Sequence, residues 1–423
     1  MNSIIRKNIC EGVAFNSIKE DKFKTMRMSV NVILPLEKET ASEYALLRGV
    51  LTRSCKKYPD FTQFSKKLSS LYGTDLLSSV KKSGDNQILS FTAVGLDDRY
   101  VLGDEVISTE LSQLMCEVLF NPKVENGRFD ENDIAQERRQ LLDVIDAEFN
   151  DKRSYALSQL VANMCSEETF GIKRYGTVEN INNVTSESLY TAWQNMLKNA
   201  RFEIFYVGDS GADKAEKVFT DAFESIDRTP CSVQTEVIRT ADEVKRVTEE
   251  MDVSQSKLVI GLRAGIAQGD DEREVTVARL MCSILGGTAN SKLFNNVREK
   301  QSLCYYCAAR YDKMKGIVIV DSGVQGENIE KTEKAILKEI EDMKNGIISD
   351  FELESTKLAV VNSFKSTNDT TSGIDVWYSS QMFGDSFKSV EEMTEEFMSV
   401  TKEEITQAAK KLTLDTVYVL KNK

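Results

Sequence analysis

One segment of the chain brings together a Gly-Gly pair, an arginine and a tyrosine whose side chains can donate hydrogen bonds. It reads Gly286-Gly-Thr-Ala-Asn-Ser-Lys-Leu-Phe294, then Asn-Asn-Val-Arg298-Glu-Lys, then Leu303-Cys-Tyr305. An arginine offers fixed N–H donors for a peptide carbonyl or a developing oxyanion, and a tyrosine offers a hydroxyl donor. A structural interpretation is also open, in which Arg298 pairs with Glu299 or another neighbour and Tyr305 packs in a sheet.

None of the 423 residues is histidine, and this absence removes whole classes of catalytic site. Histidine is the usual side chain for proton transfer near neutral pH and the commonest ligand of catalytic zinc. Ser-His-Asp systems, Cys-His systems and His-based metal sites are therefore excluded. The Ser-x-x-Lys matches that begin at Ser54, Ser79 and Ser254 lack any partner motif. An autonomous enzyme without histidine is the least favoured interpretation.

Cysteines and acidic stretches give weaker signals. Cys304 and Cys307 form a C-x-x-C, but the surrounding residues predict a strand, in which positions three apart point to opposite faces. No second C-x-x-C completes a tetrahedral metal site, so the eight cysteines are predicted to be free, mostly buried thiols. Residues 130–133 and 268–274 are acidic, and both stretches precede predicted helices, whose N-termini favour acids. We therefore predict no metal and no cofactor.

Composition limits the partners and the compartment. The net charge of −13 is spread along the chain and argues against nucleic acid or an anionic membrane as partner. Hydrophobic residues make up 41% and there are only four prolines, as in a helix-rich globular protein. The sequence shows no apolar run of signal-peptide or membrane-spanning length. These features predict a cytoplasmic protein.

The predicted elements occur twice in the same order. Each half shows a strand, a helix, two strands, a long helix and a terminal helix followed by a strand. Val184-Thr185 and Val400-Thr401 open the two terminal helices, and Thr401 with Glu404 forms a capping box. Such a repeat predicts a duplicated α+β unit, with halves at residues 1–227 and 228–423. Each half is expected to be a mainly antiparallel sheet with helices packed on one face.

The segment that contains Arg298 and Tyr305 resembles the insulinase-like (pitrilysin-like, M16) zinc metallopeptidases. That family carries a Gly-Gly, Ser-Arg-Leu-Phe, Arg-Glu-Lys, Leu-Ala-Tyr series in its C-terminal half, in this order and close to this spacing. The resemblance extends over essentially the whole chain and implies that the two halves form a clamshell. It also implies that Arg298 and Tyr305 reach a bound peptide at the active site.

The zinc site of that family corresponds to positions that cannot bind zinc in this chain. Its H-x-x-E-H motif, with two histidine ligands and a glutamate base, falls on Ala45-Leu-Leu-Arg48-Gly49. Its distant glutamate ligand falls near Val144, within a residue or two. All four functions are therefore missing, and Arg48 would repel a divalent cation. The resemblance thus implies an inactive member of the family.

Two functions of different classes follow from the resemblance. The leading hypothesis is a non-catalytic subunit that pairs with a zinc-motif-bearing M16 chain and contributes Arg298 and Tyr305 to the binding of a peptide. The alternative is a catalytically inert scaffold or peptide-binding protein. In isolation the chain is expected to form a homodimer, and bacterial members with this pattern are associated with modification of elongation factor P.

Overall fold

The structure, a computed structural model, describes residues 4–423. Its strands, in chain order, are β1 (Ile4–Cys10), β2 (Val13–Lys19), β3 (Thr25–Pro35), β4 (Asp75–Ser83), β5 (Asn86–Leu96), β6 (Val124–Glu125), β7 (Arg128–Phe129), β8 (Arg201–Gly208), β9 (Lys245–Met251), β10 (Ser256–Arg263), β11 (Cys304–Asp312), β12 (Ile317–Val324) and β13 (Thr413–Asn422). Its α-helices are α1 (Ala41–Leu51), α2 (Phe61–Ser70), α3 (Ile107–Phe120), α4 (Glu131–Asn150), α5 (Lys152–Met164), α6 (Val178–Asn183), α7 (Ser186–Asn199), α8 (Ala212–Phe223), α9 (Glu272–Cys282), α10 (Ile329–Lys344), α11 (Asp350–Thr367), α12 (Thr371–Ser379), α13 (Val390–Ser399) and α14 (Lys402–Lys410).

The order of strands confirms the duplicated α+β fold. The first sheet runs β1-β2-β8-β3-β5-β4, and the second, read from its β9 edge, runs β9-β13-β10-β12-β11. Apart from the extra strand β1, each position in one sheet has a counterpart in the other. Only one pair in each sheet is parallel, β2 with β8 and β9 with β13, so both sheets are mainly antiparallel. The same order and the same single parallel pair are what a repeat predicts.

The chain forms two compact units that interleave along the sequence. One consists of residues 1–144, 172–234 and 367–389, and the other of residues 145–171, 235–366 and 390–423. Each unit contains one of the two large sheets and one complete helix from the opposite half of the sequence, α12 in the first unit and α5 in the second, and the first unit also contains the two-stranded sheet β6-β7. The compact units thus depart from the linear division at residue 227, which stays a prediction for the two homologous halves.

Helix α12 covers the polar face of β3. On one face of β3, Met28 lies against α3, where the Ser112 hydroxyl is 3.7 Å from the Met28 sulfur. Because apolar residues from Met26 to Leu34 alternate with polar residues from Thr25 to Asn31, the sequence predicts that the other face is exposed, and this prediction is wrong. Ser29 is only 3% exposed, and its hydroxyl donates to the Asp375 carboxylate of α12 at 2.6 Å. Arg27 pairs with the same carboxylate at 2.7 Å.

Helix α5 covers the second sheet in the same way. Leu160 and Met164 of this helix pack on Val259 of β10 and Ile319 of β12. The sequence predicts one helix from about residue 134 to 165, whereas the structure has two, α4 and α5, separated at Asp151. Asp151 caps α5 by accepting the backbone N–H of Arg153. This break lets the second helix take its own direction onto the sheet.

The predicted caps at Thr185 and Thr401 are confirmed, and Thr185 also forms a full capping box. The Thr401 hydroxyl accepts the Glu404 N–H, and the Glu404 carboxylate accepts the Thr401 N–H. Thr185 forms the same reciprocal pair with Ser188, although it lacks the acid at the third position. Within residues 4–423 no helix is long and apolar enough to cross a membrane.

Candidate functional site

Arg298 is carried by an unusual stretch of helix. Helix α9 continues into a π-helical turn at Ser283–Gly287, and a second π-helical segment runs over Leu293–Lys300. A Cβ atom at Gly286 would lie 2.5 Å from the backbone nitrogen of Ala309, so only glycine allows this turn to pack on β11. π-Helical segments are rare and occur frequently at functional sites. Gly286, the first glycine of the Gly-Gly pair, therefore serves close packing.

A buried ion pair holds the segment in place. Lys292 is 3% exposed, and its Nζ lies 3.1 Å from Glu352 and 3.8 Å from Glu339. Glu339 also accepts a hydrogen bond from Asn296 at 2.8 Å. Lys292 stands where the family series has an arginine, and its two carboxylate partners give it a structural role here. Beyond the segment, Ser302 takes a left-handed φ of 52° and leads the chain into β11.

The Arg298 side chain is only weakly engaged. Its nearest carboxylate is that of Glu299, at 3.6 Å, and its guanidinium carbon lies 4.5 Å from the centroid of the Phe294 ring. The side chain of Arg298 is 38% exposed and that of Glu299 is 54% exposed. A solvent-exposed pair of this length contributes little to stability. The predicted pairing with Glu299 exists, but it leaves most of the guanidinium donors accessible.

Tyr305 projects from an irregularity in β11. Cys304 lies opposite Val324 and Tyr306 lies opposite Gly323, so Tyr305 is an extra residue without a partner in the ladder. Such a β-bulge re-aims side chains and is common beside functional sites. Tyr305 is 58% exposed, and its hydroxyl accepts a hydrogen bond from Gln325 at 2.5 Å. Packing of Tyr305 within a sheet is thus not observed.

The bulge also corrects the interpretation of the cysteine pair. In a regular strand Cys304 and Cys307 would face opposite ways, but the extra residue shifts the alternation by one. Cys304 lies opposite Val324 and Cys307 opposite Ser322, which are two residues apart on β12 and share a face. The two thiols therefore lie on the same face of the sheet. Both are free, Cys307 buried and Cys304 partly exposed.

Helix α1 carries the positions that correspond to the zinc motif. Ala45 is fully buried, and Arg48 points to β4, where its Nη1 lies 3.4 Å from both the carbonyl oxygen and the hydroxyl of Ser78. Arg48 Nε is buried without a hydrogen-bond partner, and no carboxylate of residues 4–423 forms an ion pair with this guanidinium. A cation in this position opposes the binding of a metal.

Glu137 fills the space beside Gly49. A Cβ atom at Gly49 would lie 2.1 Å from the Glu137 Oε2 and 2.9 Å from its Cδ. Glu137 is 8% exposed and pairs with Arg53 at 3.1 Å, and Arg53 also pairs with Asp133 at 3.1 Å. A second histidine of a zinc motif at residue 49 would occupy the volume that this carboxylate fills.

The resemblance places the fourth zinc ligand near Val144, and the sequence alone predicts no role for Glu137. Val144 is 44% exposed on α4. Glu137 lies seven residues earlier, two helical turns away and on the same face. That spacing is the signal by which Glu137 could have been recognised as the acidic residue that contacts the motif helix. Within the described chain no group of three or more Cys, Asp or Glu side chains is arranged to hold a metal ion.

Comparison with known proteins identifies the family of the chain. Residues 183–360 match the family model described as the peptidase M16 inactive domain. A Bacillus subtilis (strain 168) protein described as probable inactive metalloprotease YmfF is 30% identical over 410 residues, which cover 97% of this chain and 96% of that protein.

Solved structures show the same fold. A conserved protein from Enterococcus faecalis V583 superposes with a TM-score of 0.90 at 26% identity and covers 99% of both chains. A peptidase M16 inactive domain from Pseudomonas fluorescens superposes with a TM-score of 0.80 at 17% identity, over 99% of this chain and 98% of its own. The 30% identity over nearly the full length of both proteins, together with a sequence that contains no H-x-x-E-H motif, shows that the chain belongs to the M16 peptidase family as an inactive member.

Proposed function

We propose that this chain is the non-catalytic subunit of a two-chain M16 peptidase of the bacterial cytoplasm. Its partner carries the intact zinc motif, and the two chains close around a peptide. This chain contributes Arg298 and Tyr305 as donors to the substrate in the partner's active site. A homodimer is the form we expect for the isolated chain.

The observation that carries this proposal is the exposure of both donors on elements that constrain their backbone. Arg298 lies on a π-helical segment tied down by Lys292, and Tyr305 lies on a bulge of β11. Their side chains are 38% and 58% exposed, and neither makes a strong interaction with a charged group. Side chains kept for packing would be buried. Donors on constrained backbone lose little entropy when they bind a substrate.

The loss of metal chemistry in the first half fits the same role. A lone M16 chain without ligands or a general base cannot activate water. Purified alone, this chain should contain no stoichiometric zinc and cleave no peptide library. Elemental analysis that finds about one tightly bound zinc per chain would contradict this expectation, since carboxylate-only or stray thiolate sites seldom hold zinc that well.

Mutation of the two donors in a reconstituted complex tests the proposal. The complex is assembled from this chain and a zinc-motif-bearing M16 chain from the same organism. Arg298→Ala should lower turnover by about 10²–10³, the usual effect of removing one oxyanion-type donor. Tyr305→Phe removes one hydroxyl donor and should lower turnover in the same direction. Both variants should unfold at the temperature of the unmodified chain, because neither side chain is buried.

Two matched variants control for indirect effects. Lys300→Ala removes a positive charge from the same segment, where the Lys300 ammonium donates to the Asn296 side chain at 2.9 Å. Tyr311→Phe removes a hydroxyl from the same strand, where it donates to the Ile266 carbonyl at 2.8 Å. Neither should change turnover. If Arg298→Ala and Tyr305→Phe also leave turnover unchanged, or no zinc-bearing chain binds, the inert scaffold or peptide-binding protein becomes the better explanation.

A further inference from the structure

The bulge at Tyr305 creates a pair of adjacent thiols. Cys304 and Cys307 lie opposite Val324 and Ser322, so their side chains leave the same face of β11. This face packs against the π-helical turn that contains Gly286, whose nearest neighbour across the contact is Ala309. Without the extra residue the two thiols would be on opposite faces and could not meet.

The two thiols differ in a way that suits thiol–disulfide exchange. Interaction with the neighbouring Cys307 thiol, together with the positive charge of Arg298, lowers the pKa of Cys304. The interaction with Cys304, together with burial, holds the pKa of Cys307 well above its ordinary value. Cys304 is partly exposed and Cys307 is 5% exposed. Burial raises the pKa of five other thiols: Cys55, Cys116, Cys165, Cys231 and Cys282.

We propose that Cys304 and Cys307 form a reversible intramolecular disulfide by exchange with a low-molecular-weight disulfide. The Cys304 thiolate attacks one sulfur of the small disulfide and releases one small thiolate, which takes up a proton. Cys307 then loses its proton, attacks the Cys304 sulfur and releases the second small thiol. Two protein thiols are oxidised and one small disulfide is reduced to two thiols.

Closing this bond should move Tyr305. Residues two apart on a strand are separated by about 6.8 Å, and Cys304 and Cys307 face two such residues of β12. This separation is about the upper limit of the Cα–Cα distances in disulfides, so the bulge must tighten for the bond to form. A strained disulfide is also readily reduced. If Tyr305 contacts substrate, which rests on the proposed function, oxidation should reversibly lower substrate turnover.

Peptide mapping of the folded chain tests the disulfide without any partner. The chain is incubated with oxidised glutathione, free thiols are alkylated, and the protein is digested with trypsin. Lys300 and Arg310 bound a tryptic peptide, residues 301–310, that contains Cys304 and Cys307 and no other cysteine. We expect this peptide to be unalkylated and lighter than the dithiol form by two hydrogen atoms. In the reduced chain, Cys304 should be alkylated at least about tenfold faster than Cys231.

Variants separate the attacking thiol from the resolving thiol. Cys307→Ser, or Cys307→Ala if the first does not fold, should accumulate a glutathione adduct on Cys304. Cys304→Ser should leave Cys307 unmodified, and Cys231→Ser should behave as the unmodified chain.

The disulfide is refuted if folded protein, checked by circular dichroism, yields the wild-type peptide with two alkylated thiols or a persistent adduct on Cys304. Its effect on Tyr305 is refuted if the disulfide forms but turnover of the assembled complex does not change. If no complex assembles, the proposed function fails while the peptide map still decides on the disulfide.

Discussion

Replacing Gly49 with alanine tests whether Glu137 closes the position that the family resemblance assigns to the second zinc-binding histidine. In the middle of a helix alanine is more favourable than glycine by about 1 kcal/mol, so Gly49→Ala in α1 would ordinarily stabilise the protein. Here the added methyl would lie 2.1 Å from the Glu137 Oε2 and 2.9 Å from its Cδ. Glu137 must move and weaken its 3.1 Å pair with Arg53. Overpacking of this kind costs about 1–3 kcal/mol, so the net effect should be a loss of stability of about 0–2 kcal/mol.

A double-mutant cycle with Glu137→Ala isolates this steric conflict. Without the carboxylate, Gly49→Ala should recover the helix propensity of alanine and stabilise by about 1 kcal/mol. The coupling energy between residues 49 and 137 should therefore be about 1–3 kcal/mol. Urea unfolding of the four proteins, followed by circular dichroism, gives the four free energies of unfolding.

One result would refute the reasoning. If Gly49→Ala stabilises by the same amount with and without Glu137, the carboxylate moves away at no cost and does not close the site. A histidine needs more room at residue 49 than alanine does. A coupling of the predicted size would therefore mean that restoring the motif residues alone cannot restore a zinc site in this chain.

Two further predictions concern ion pairs with different burial. The Glu168 carboxylate forms ion pairs with Arg263 at 2.7 Å and with Lys315 at 2.9 Å, and all three side chains are at most 3% exposed. Because Glu168→Gln leaves these two cations buried without their negative partner, it should lower the free energy of unfolding by about 3–5 kcal/mol in urea melts. The matched change Glu333→Gln, in a pair with the exposed Arg246, should cost at most about 1 kcal/mol, and equal losses would contradict the role of burial. Hydrogen bonding from Arg273 lowers the pKa of Glu404 from its ordinary 4.5 to about 2, so this carboxylate stabilises the fold above pH 4.5 and loses that contribution as the pH falls toward 2. Glu404→Gln should flatten this part of the stability–pH profile, and an unchanged profile would refute the assignment.

The sequence predicts the repeated architecture because that signal is periodic. The alternation of β3 and the matched openings at Thr185 and Thr401 are local patterns, and both elements occur where expected. What covers each face is not local. The alternation of β3 predicts that Ser29 is exposed, yet Ser29 is buried and bonded to Asp375, a residue more than three hundred positions away. No window of sequence around β3 contains that information.

The candidate site shows the same limit at the scale of single residues. Residue types at 45, 48, 49 and 144 predict the loss of a metal site, because ligand chemistry depends on the identity of the side chain, and elemental analysis is still needed to test that prediction. The orientation of side chains depends on register. Nothing in Leu303-Cys-Tyr-Tyr-Cys307 marks a bulge, since no glycine is present and the irregularity arises where β11 pairs with β12.

The position of the extra residue decides what both chemical groups on β11 can do. Because Tyr305 has no partner in the ladder, its ring is exposed while its neighbours stay in the sheet. For the same reason Cys304 and Cys307, which regular alternation would separate, share a face beside Arg298. A regular β11 would abolish both features at once, so the exposure of the tyrosine and the proximity of the thiols are one structural property. Because of that common origin, a disulfide between residues 304 and 307 should move Tyr305 rather than residues elsewhere in the sheet.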